Sequence, residues 1–195
     1  MSLAVAILAG GKSDRMGHDK ALLNIGGMPM LKRIIDISNC ISQEHLVVSN
    51  TPNMHDSFGW PIVSDSYRNK GPLGGLCTAL NSVKSERLLL LACDLPYLRS
   101  DFLNYITGIC TEKDAVVPYY NRPQPLCAVY RTALVTTIET LINQQQLSMR
   151  YFLKQIDVLQ VLPDQWSHTK ADHKLFSNIN TPADYETINN DLPST

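Results

Sequence analysis

The sequence has no apolar run long enough to cross a membrane. A transmembrane helix needs about 20 consecutive, mainly apolar residues, whereas the uninterrupted apolar runs in this sequence have only the length of a strand. No basic segment followed by a long apolar stretch stands at the N-terminus, so no signal peptide is predicted. We therefore expect a cytoplasmic protein with no membrane partner.

An excess of charge of one sign is also missing. The 195 residues include 17 Lys and Arg against 18 Asp and Glu, which gives a formal net charge of -1. Proteins that bind nucleic acid usually carry a basic patch or stripe, and this sequence contains no basic run. We therefore expect no nucleic-acid partner. Acidic small molecules are not excluded, because a local group of cations acts independently of the total charge.

The cysteines are scattered along the chain and show no paired spacing. The five cysteines are odd in number and none of them forms a C-x-x-C pair. This pattern argues against a disulfide framework and against a zinc site, and it fits a reducing compartment. We expect most of the cysteines to be small apolar core residues. The histidines show no H-x-x-x-H spacing, and we expect them to be surface or packing residues. They are His18, His45, His55, His168 and His173.

Short apolar runs recur along the chain and predict a parallel sheet. They are continuous rather than alternating, which is typical of strands buried on both faces. Helical patterns lie between them and open near Pro29, Pro72, Ser100, Ser148 and Thr181. The runs are Leu3–Leu8, Leu46–Val48, Leu88–Cys93, Ala115–Val117 and Val158–Leu162. This alternation predicts an α/β, Rossmann-like three-layer fold with a mostly parallel central sheet and helices on both faces, in a single domain over residues 1–195.

The string LAGGKSDRMGHDKALL begins at Leu8, at the end of the first apolar run. In α/β sheets, ligands bind beyond the carboxyl ends of the strands, and the loop after the first strand is a favoured place. Gly10 and Gly11 allow backbone N–H groups to approach a phosphate, and Lys12, Arg15 and Lys20 supply positive charge. The spacing matches neither G-x-x-x-x-G-K-[ST] nor G-x-G-x-x-G. On the glycines alone, a turn with a solvated charged face is an equally good interpretation.

The full string resembles the signature loop of nucleotidyltransferases that activate sugars and cofactors, in which a pattern of the type L-A-G-G-x-S-x-R-M-G-x-D-K follows the first strand. Within that superfamily the sequence is most similar to the molybdenum cofactor guanylyltransferases. The resemblance implies an enzyme that transfers GMP from GTP to the phosphate of molybdopterin, releases pyrophosphate and forms the guanine dinucleotide cofactor. It also implies Mg²⁺ as the cofactor, and cofactor-insertion proteins or molybdoenzymes as partners.

Asp94 follows the run Leu88–Cys93 directly, in the segment C-D-L-P. A carboxylate at the carboxyl end of a strand is well placed to hold Mg²⁺, which prefers oxygen ligands and substrate phosphates. A turn aspartate before Pro96 is the alternative interpretation. The segment resembles the metal-binding motif of the family, so the resemblance implies that Asp94 binds the metal and is catalytic together with Arg15 and Lys20.

The resemblance also implies a set of nucleotide-binding residues. Asn50 and Asp65 each close a strand-like segment, and without the resemblance they would be interpreted as turn residues. Guanylyl-transferring relatives usually have L-A-G-G where cytidylyl-transferring ones tend towards A-A-G, so Gly11 favours GTP over CTP. The expected nucleotide-binding residues are Leu8, Ala9, Gly10, Gly11, Lys20, Asn50, Asp65 and Asp94.

Three further segments match the family less closely. FSNINTPADY resembles its closing N-x-N-T-P motif, in which Asn178 or Asn180 is expected to contact a second metal or the acceptor phosphate. Thr181 is expected to be a helix N-cap. GPLGGL, which begins at Gly71, lies along the base and ribose in the family. RPQPLCAVYR, at residues 122–131, lies where relatives shape the acceptor pocket, and there the sequence diverges most.

Two alternatives stay open. One is a sibling enzyme that transfers CMP or UMP to a sugar or alcohol phosphate. The other is a non-catalytic nucleotide-binding module that has kept the loop, which the joint presence of Arg15, Lys20 and Asp94 disfavours. Pyrophosphate release, measured with each nucleotide and each candidate acceptor, separates the three.

Overall fold

The computed structural model describes residues 2–9, 19–166, 174–179 and 181–192. Its strands are β1 (Leu3–Leu8), β2 (Asn24–Ile25), β3 (Met28–Pro29), β4 (Glu44–Ser49), β5 (Ile62–Ser64), β6 (Arg87–Ala92), β7 (Ala115–Tyr120), β8 (Arg122–Pro123), β9 (Cys127–Arg131) and β10 (Val158–Val161). The central sheet has the strand order β10-β7-β9-β6-β1-β4-β5, with β8 paired to β7, while β2 and β3 form a separate ribbon.

The sheet is mostly parallel, as the sequence predicts. Strand β1 pairs in parallel with β4 and β6, β4 with β5, and β7 with β10. Strand β9 is antiparallel to both of its neighbours, β6 and β7. The carboxyl ends of β1, β4, β5 and β6 therefore meet at one edge of the sheet.

Helices cover both faces of the sheet, which confirms the three-layer prediction. Helices α1 and α3 contribute to the core on one face, and α2, α4 and α5 contribute to the core on the other. The helices are α1 (Met30–Ser38), α2 (Gly71–Asn81), α3 (Ser100–Thr107), α4 (Val135–Asn143), α5 (Met149–Phe152), α6 (Pro163–Trp166) and α7 (Pro182–Asp191). Within the described part of the chain, no helix has the length and apolar character needed to cross a bilayer.

The continuous apolar character of β1 follows from its position between two cores. Val5 and Ile7 belong to the core on one face, whereas Ala4 and Ala6 belong to the core on the other. All four side chains are fully buried. Because successive residues of a strand point to opposite faces, a strand covered on both faces needs apolar residues at every position.

The predicted helix starts are confirmed in part. Thr181 is the N-cap of α7, and Ser148 is the N-cap of α5. Ser100, however, is the first helical residue of α3, and the extended Arg99 before it is the N-cap without a side-chain capping bond. The pattern after Ser148 predicts a helix through Ile156, but α5 ends at Phe152 and turns and bends occupy residues 153–156.

A small apolar cluster attaches the C-terminal helix to the β2–β3 ribbon. Ile25 and Met30, from the ribbon and the start of α1, are buried against Ile179 and Ile188. The backbone N–H of Gly26 also donates to the side-chain oxygen of Asn189 at 3.1 Å. The C-terminal segment is thereby held next to the chain that follows the opening loop.

Candidate active site

The carboxyl ends of β1, β4 and β6 are held in register by backbone hydrogen bonds. Leu8 is aligned with Val48 of β4 and with Ala92 of β6. The N–H of Ala9 donates to the Val48 carbonyl at 2.9 Å, and the N–H of Cys93 donates to the Leu8 carbonyl at 3.3 Å. The residues at the ends of these three strands consequently share one edge of the sheet. They include two predicted nucleotide-binding residues, Leu8 at the end of β1 and Ala9 directly after it.

Asp94 lies at this edge, two residues after β6, and contacts the C-terminal segment twice. Its Oδ1 accepts a hydrogen bond from Asn178 Nδ2 at 3.0 Å, and its backbone carbonyl accepts one from the N–H of Ile179 at 3.3 Å. Burial raises the pKa of the Asp94 carboxyl, and the hydrogen bond from Asn178 and the charge of Lys20 oppose this rise. The carboxylate is therefore poorly solvated, which favours a cation as an additional partner.

Lys20 contacts the same C-terminal segment, at Ile179. It opens a short 3₁₀ helix, Lys20–Leu22, and its Nζ donates to the carbonyl of Ile179 at 2.7 Å. Because Ile179 contacts Asp94 through its N–H and Lys20 through its carbonyl, one residue links the two predicted catalytic side chains. The structure thus brings Lys20, Asp94 and Asn178 together although the sequence separates them widely.

Four of the predicted site residues, Gly10, Gly11, Arg15 and Asn180, lie outside the described residues. Their roles therefore stay predictions. His18, His168 and His173 also fall in these gaps.

Asn50 and Asp65 lie at the same edge but belong to different local structures. Asn50 is exposed in a turn after β4, across which the N–H of Thr51 donates to Ser49 Oγ at 3.0 Å. Asp65 follows β5, and its Oδ1 accepts from Thr78 Oγ1 of α2 at 2.7 Å. The Asp65 carboxylate therefore binds the C-terminal half of α2, which the sequence did not indicate.

The paired glycines of GPLGGL allow α2 to approach its neighbours closely. A Cβ added at Gly74 would lie 2.7 Å from the carbonyl oxygen of Tyr67, which is far inside normal contact. A Cβ added at Gly75 would lie 3.0 Å from a terminal methyl group of Leu8. Gly74 therefore allows α2 to pack closely against Tyr67. Gly75 allows it to pack against Leu8, the residue that begins the signature string.

His55 is buried, as expected of a packing residue, but it also makes polar contacts that the sequence did not indicate. His45 also packs, with its ring stacked on Trp60 at 4.3 Å. His55 is only 1% exposed, and both of its ring nitrogens are hydrogen-bonded, Nδ1 to Ser49 Oγ at 2.9 Å and Nε2 to Asp19 Oδ2 at 3.1 Å. A buried imidazole needs polar partners for its two nitrogens. The end of β4 provides one and the segment before the Lys20–Leu22 helix provides the other.

Asp19 is a second residue that the sequence analysis missed. Its Oδ1 accepts from the N–H of Ala21 at 2.9 Å and so caps the short helix that carries Lys20. Its place in the D-K pair of the signature string was an available signal. His55 had no such signal, because its partners lie 6 and 36 positions away and form no sequence motif with it.

The described residues contain no group of three or more His, Cys, Asp or Glu that could hold a metal ion. Among the residues that the structure describes, Asp94 is therefore a single carboxylate rather than part of a three-ligand cage. Such a site suits Mg²⁺, which is commonly held by one or two carboxylates together with substrate phosphates and water. The donor chemistry at Asp94 is compatible with a divalent ion that arrives with a nucleotide.

Comparisons with known proteins agree with this geometry. Residues 5–160 match the model of the family described as the MobA-like NTP transferase domain. A Clostridium perfringens protein named probable molybdenum cofactor guanylyltransferase is 34% identical over 189 residues, which cover 95% of each chain. A protein of the same name from Carboxydothermus hydrogenoformans is 32% identical over 188 residues, which cover 96% of this chain and 95% of its own.

A solved structure extends the comparison to the fold. The molybdopterin-guanine dinucleotide biosynthesis protein A of Archaeoglobus fulgidus superposes with a TM-score of 0.84 at 21% identity. The superposition covers 96% of this chain and 97% of that chain. At this identity, the similarity establishes a common fold.

Proposed function

The chain belongs to the MobA-like NTP transferase family, and on this premise we propose that it transfers GMP from GTP to the phosphate of molybdopterin. It is a nucleotidyltransferase, and its product is the guanine dinucleotide form of the molybdenum cofactor. The observation that carries the proposal is the similarity, over almost the whole chain, to proteins named molybdenum cofactor guanylyltransferase.

The reaction requires positioning more than proton transfer. An oxygen of the molybdopterin phosphate forms a bond to the α-phosphorus of GTP, and the bond from that phosphorus to the bridging oxygen of the β-phosphate breaks. Pyrophosphate leaves with the electron pair of the broken bond. Because the attacking phosphate is already anionic near neutral pH, no general base is needed. Catalysis then depends on orientation and on stabilisation of charge around the α-phosphorus.

We assign separate tasks to the three catalytic residues. Lys20, held by the Ile179 carbonyl, would donate to the α-phosphate as charge develops there. Arg15 would bind the departing pyrophosphate, since a guanidinium fork suits phosphate oxygens. Asp94, held by Asn178, would bind a divalent ion, which we propose to be Mg²⁺. When bound, that ion supplies charge neutralisation between the phosphates.

The nucleotide-binding set follows from the same edge of the sheet. Leu8 and Ala9 lie at the end of β1, and Asn50 and Asp65 lie just beyond β4 and β5. We propose that these residues line the nucleotide, with Gly11 leaving space for a purine. Asn178 is already hydrogen-bonded to Asp94, so we propose that it orients this carboxylate, while Asn180 contacts the acceptor phosphate or a second metal.

The test is pyrophosphate release from purified protein with each of GTP, CTP, UTP and ATP, in the presence and absence of molybdopterin and Mg²⁺. We expect release only when GTP, Mg²⁺ and molybdopterin are all present, together with the dinucleotide product detected by mass spectrometry. Calorimetry should show tighter binding of GTP than of the other three nucleotides.

Each alternative gives a different result in this assay. Faster release with CTP or UTP and a sugar phosphate would overturn the guanylyl assignment in favour of a sibling enzyme. Tight GTP binding without turnover, with any acceptor, would show a non-catalytic binding module. Turnover with molybdopterin that is independent of metal would remove Mg²⁺ from the proposal.

We also propose where the reaction takes place and which proteins receive the product. The scattered cysteines, of which Cys77, Cys93 and Cys127 are buried as free thiols, fit the cytoplasm. A dinucleotide cofactor acts only after insertion into an enzyme, so cofactor-insertion proteins or molybdoenzymes are the expected partners. Co-purification of the tagged protein with such enzymes would test this expectation.

A further inference from the structure

His55 occupies a position between two segments of the proposed nucleotide site. It follows the short 3₁₀ helix Pro52–Met54 and precedes another, Asp56–Phe58. Its ring contacts Ser49, the last residue of β4, on one side and Asp19, in the opening segment, on the other. The proposed mechanism leaves this buried ring without a task.

The Asp19 carboxylate fixes the direction of one bond of His55, and the bond to Ser49 is compatible with it. Ser49 Oγ accepts from the N–H of Thr51 at 3.0 Å, so its hydroxyl hydrogen can point to the Nδ1 of His55. The carboxylate of Asp19 can only accept, so the Nε2 of His55 must carry the hydrogen that it receives. A ring that donates through Nε2 and accepts through Nδ1 satisfies both partners.

Each contact of His55 supports a residue that we assign to the nucleotide. On one side, Asp19 accepts from His55 through Oδ2 and caps the Lys20–Leu22 helix through Oδ1, so the carboxylate connects the ring to the turn that aims Lys20. On the other side, Ser49 and Thr51 close the turn that presents Asn50. The imidazole therefore joins the Lys20 turn to the Asn50 turn.

We propose that His55 is a positioning residue for guanylyl transfer, acting through Asp19 to hold Lys20 and through Ser49 to hold Asn50. This inference rests on the proposed function. His55 would not touch the substrate. It would keep the Lys20 ammonium group at the place where charge develops, and a shift of about 1 Å in such a group can reduce the rate by about 10²-fold.

Two substitutions separate the contacts of the ring. In His55→Gln the side-chain nitrogen can occupy the place of Nε2 and still donate to Asp19. In His55→Asn the nitrogen takes the place of Nδ1, and the bond to Asp19 is lost. We expect kcat at saturating GTP to fall at least about 10-fold in the asparagine variant and by less than about 3-fold in the glutamine variant. The change in GTP affinity should be smaller than the change in kcat, because the bond to Asp19 acts on Lys20.

A double substitution tests whether the effect passes through Lys20. In a Lys20→Met background, His55→Asn should lower kcat by less than about 2-fold, because residues acting through one another are not additive. If His55 had only a structural role, His55→Asn would lower kcat by the same factor in the parent and in the Lys20→Met background. His45→Phe is the matched control, since His45 lies at the opposite end of β4 and phenylalanine retains the stacking on Trp60.

Rates are compared per folded molecule, with folding followed by circular dichroism below the melting temperature. If His55→Asn does not fold, Asp19→Asn replaces it, and the same loss of kcat is expected. A parent protein that transfers no GMP would refute the proposed function. An active parent whose asparagine variant is equally active, or whose two variants lose activity equally, would refute the role of His55 alone.

Discussion

Removing the charge of Lys20 should affect the reaction far more than the fold. Lys20→Met keeps most of the side-chain stem but deletes the ammonium group that donates to Ile179 at 2.7 Å. A hydrogen bond from a charged group contributes about 1.5–3 kcal/mol net, and the partial exposure of Lys20 places this one at the low end. The free energy of unfolding should therefore fall by about 1–2 kcal/mol, which lowers the melting temperature by about 2–8 °C for a chain of this size.

The expected effect on the rate is larger. Losing one preorganised donor at a site of developing charge costs about 10²–10³ in kcat, equivalent to about 2.7–4 kcal/mol. A typical domain is stable by about 5–15 kcal/mol, so the variant should remain folded at 25 °C while its turnover almost disappears.

The assay is steady-state pyrophosphate release at saturating GTP, with a thermal melt of the same sample. Lys32→Met is the control, because Lys32 is partly exposed on α1 and pairs with Asp36, a surface contact of little energetic value. The control should keep its kcat and its melting temperature within a few degrees of the parent. If Lys20→Met loses activity only in proportion to the protein that has unfolded, or keeps the parent rate, the assignment of Lys20 to the reaction is wrong.

Two further predictions follow from the contacts of the site. Asp94→Asn should lose most metal-dependent turnover yet melt at the same or a higher temperature without metal at pH 7. Burial raises the pKa of the Asp94 carboxyl, so its ionised form destabilises the fold at pH 7. The difference in melting temperature between variant and parent should vanish as the pH falls towards about 4, where the carboxyl is protonated in both the folded and the unfolded state. A variant that melts at a lower temperature than the parent at pH 7 would contradict this. Gly74→Ala should lower the free energy of unfolding by about 1–2 kcal/mol, because the new methyl group would lie 2.7 Å from the carbonyl oxygen of Tyr67. The higher helix propensity of alanine offsets only about 1 kcal/mol of this steric strain. Gly75→Ala meets only the movable end of Leu8 and should be nearly neutral, so equal denaturant midpoints for the two variants would refute this distinction.

The sequence was sufficient to predict the strands that are buried between two layers of helices. Leu3–Leu8 is recognisable because every position faces a core. Strand β5 was indicated only as the strand-like segment that Asp65 closes, because it has three partly exposed residues and is the outermost strand on its side of the sheet. Strand β9 was missed, since Cys127–Arg131 is short and its place between β6 and β7 depends on a reversal of the chain that no local pattern encodes.

The site could be predicted where residues belong to a motif, and not where they depend on the fold. Lys20 and Asp94 were found through the strings that surround them. The contact between Asp94 and Asn178 joins positions 84 residues apart, and only the fold shows it. His55 has partners 6 and 36 positions away, so its spacing carried no signal. The individual site roles and the single-domain organisation stay predictions.

The bond between Lys20 and Ile179 has a consequence for how the molecule is made. The two residues are 159 positions apart, whereas all described strands of the sheet end by Val161. Chains emerge from the ribosome N-terminus first, and contacts between distant residues form slowly because a large loop must close. The sheet can therefore be complete on a growing chain that still lacks Asn178 and Ile179. On the proposed mechanism, such a nascent chain would be folded but inactive, because the contacts that hold Lys20 and Asp94 form only at the end of synthesis.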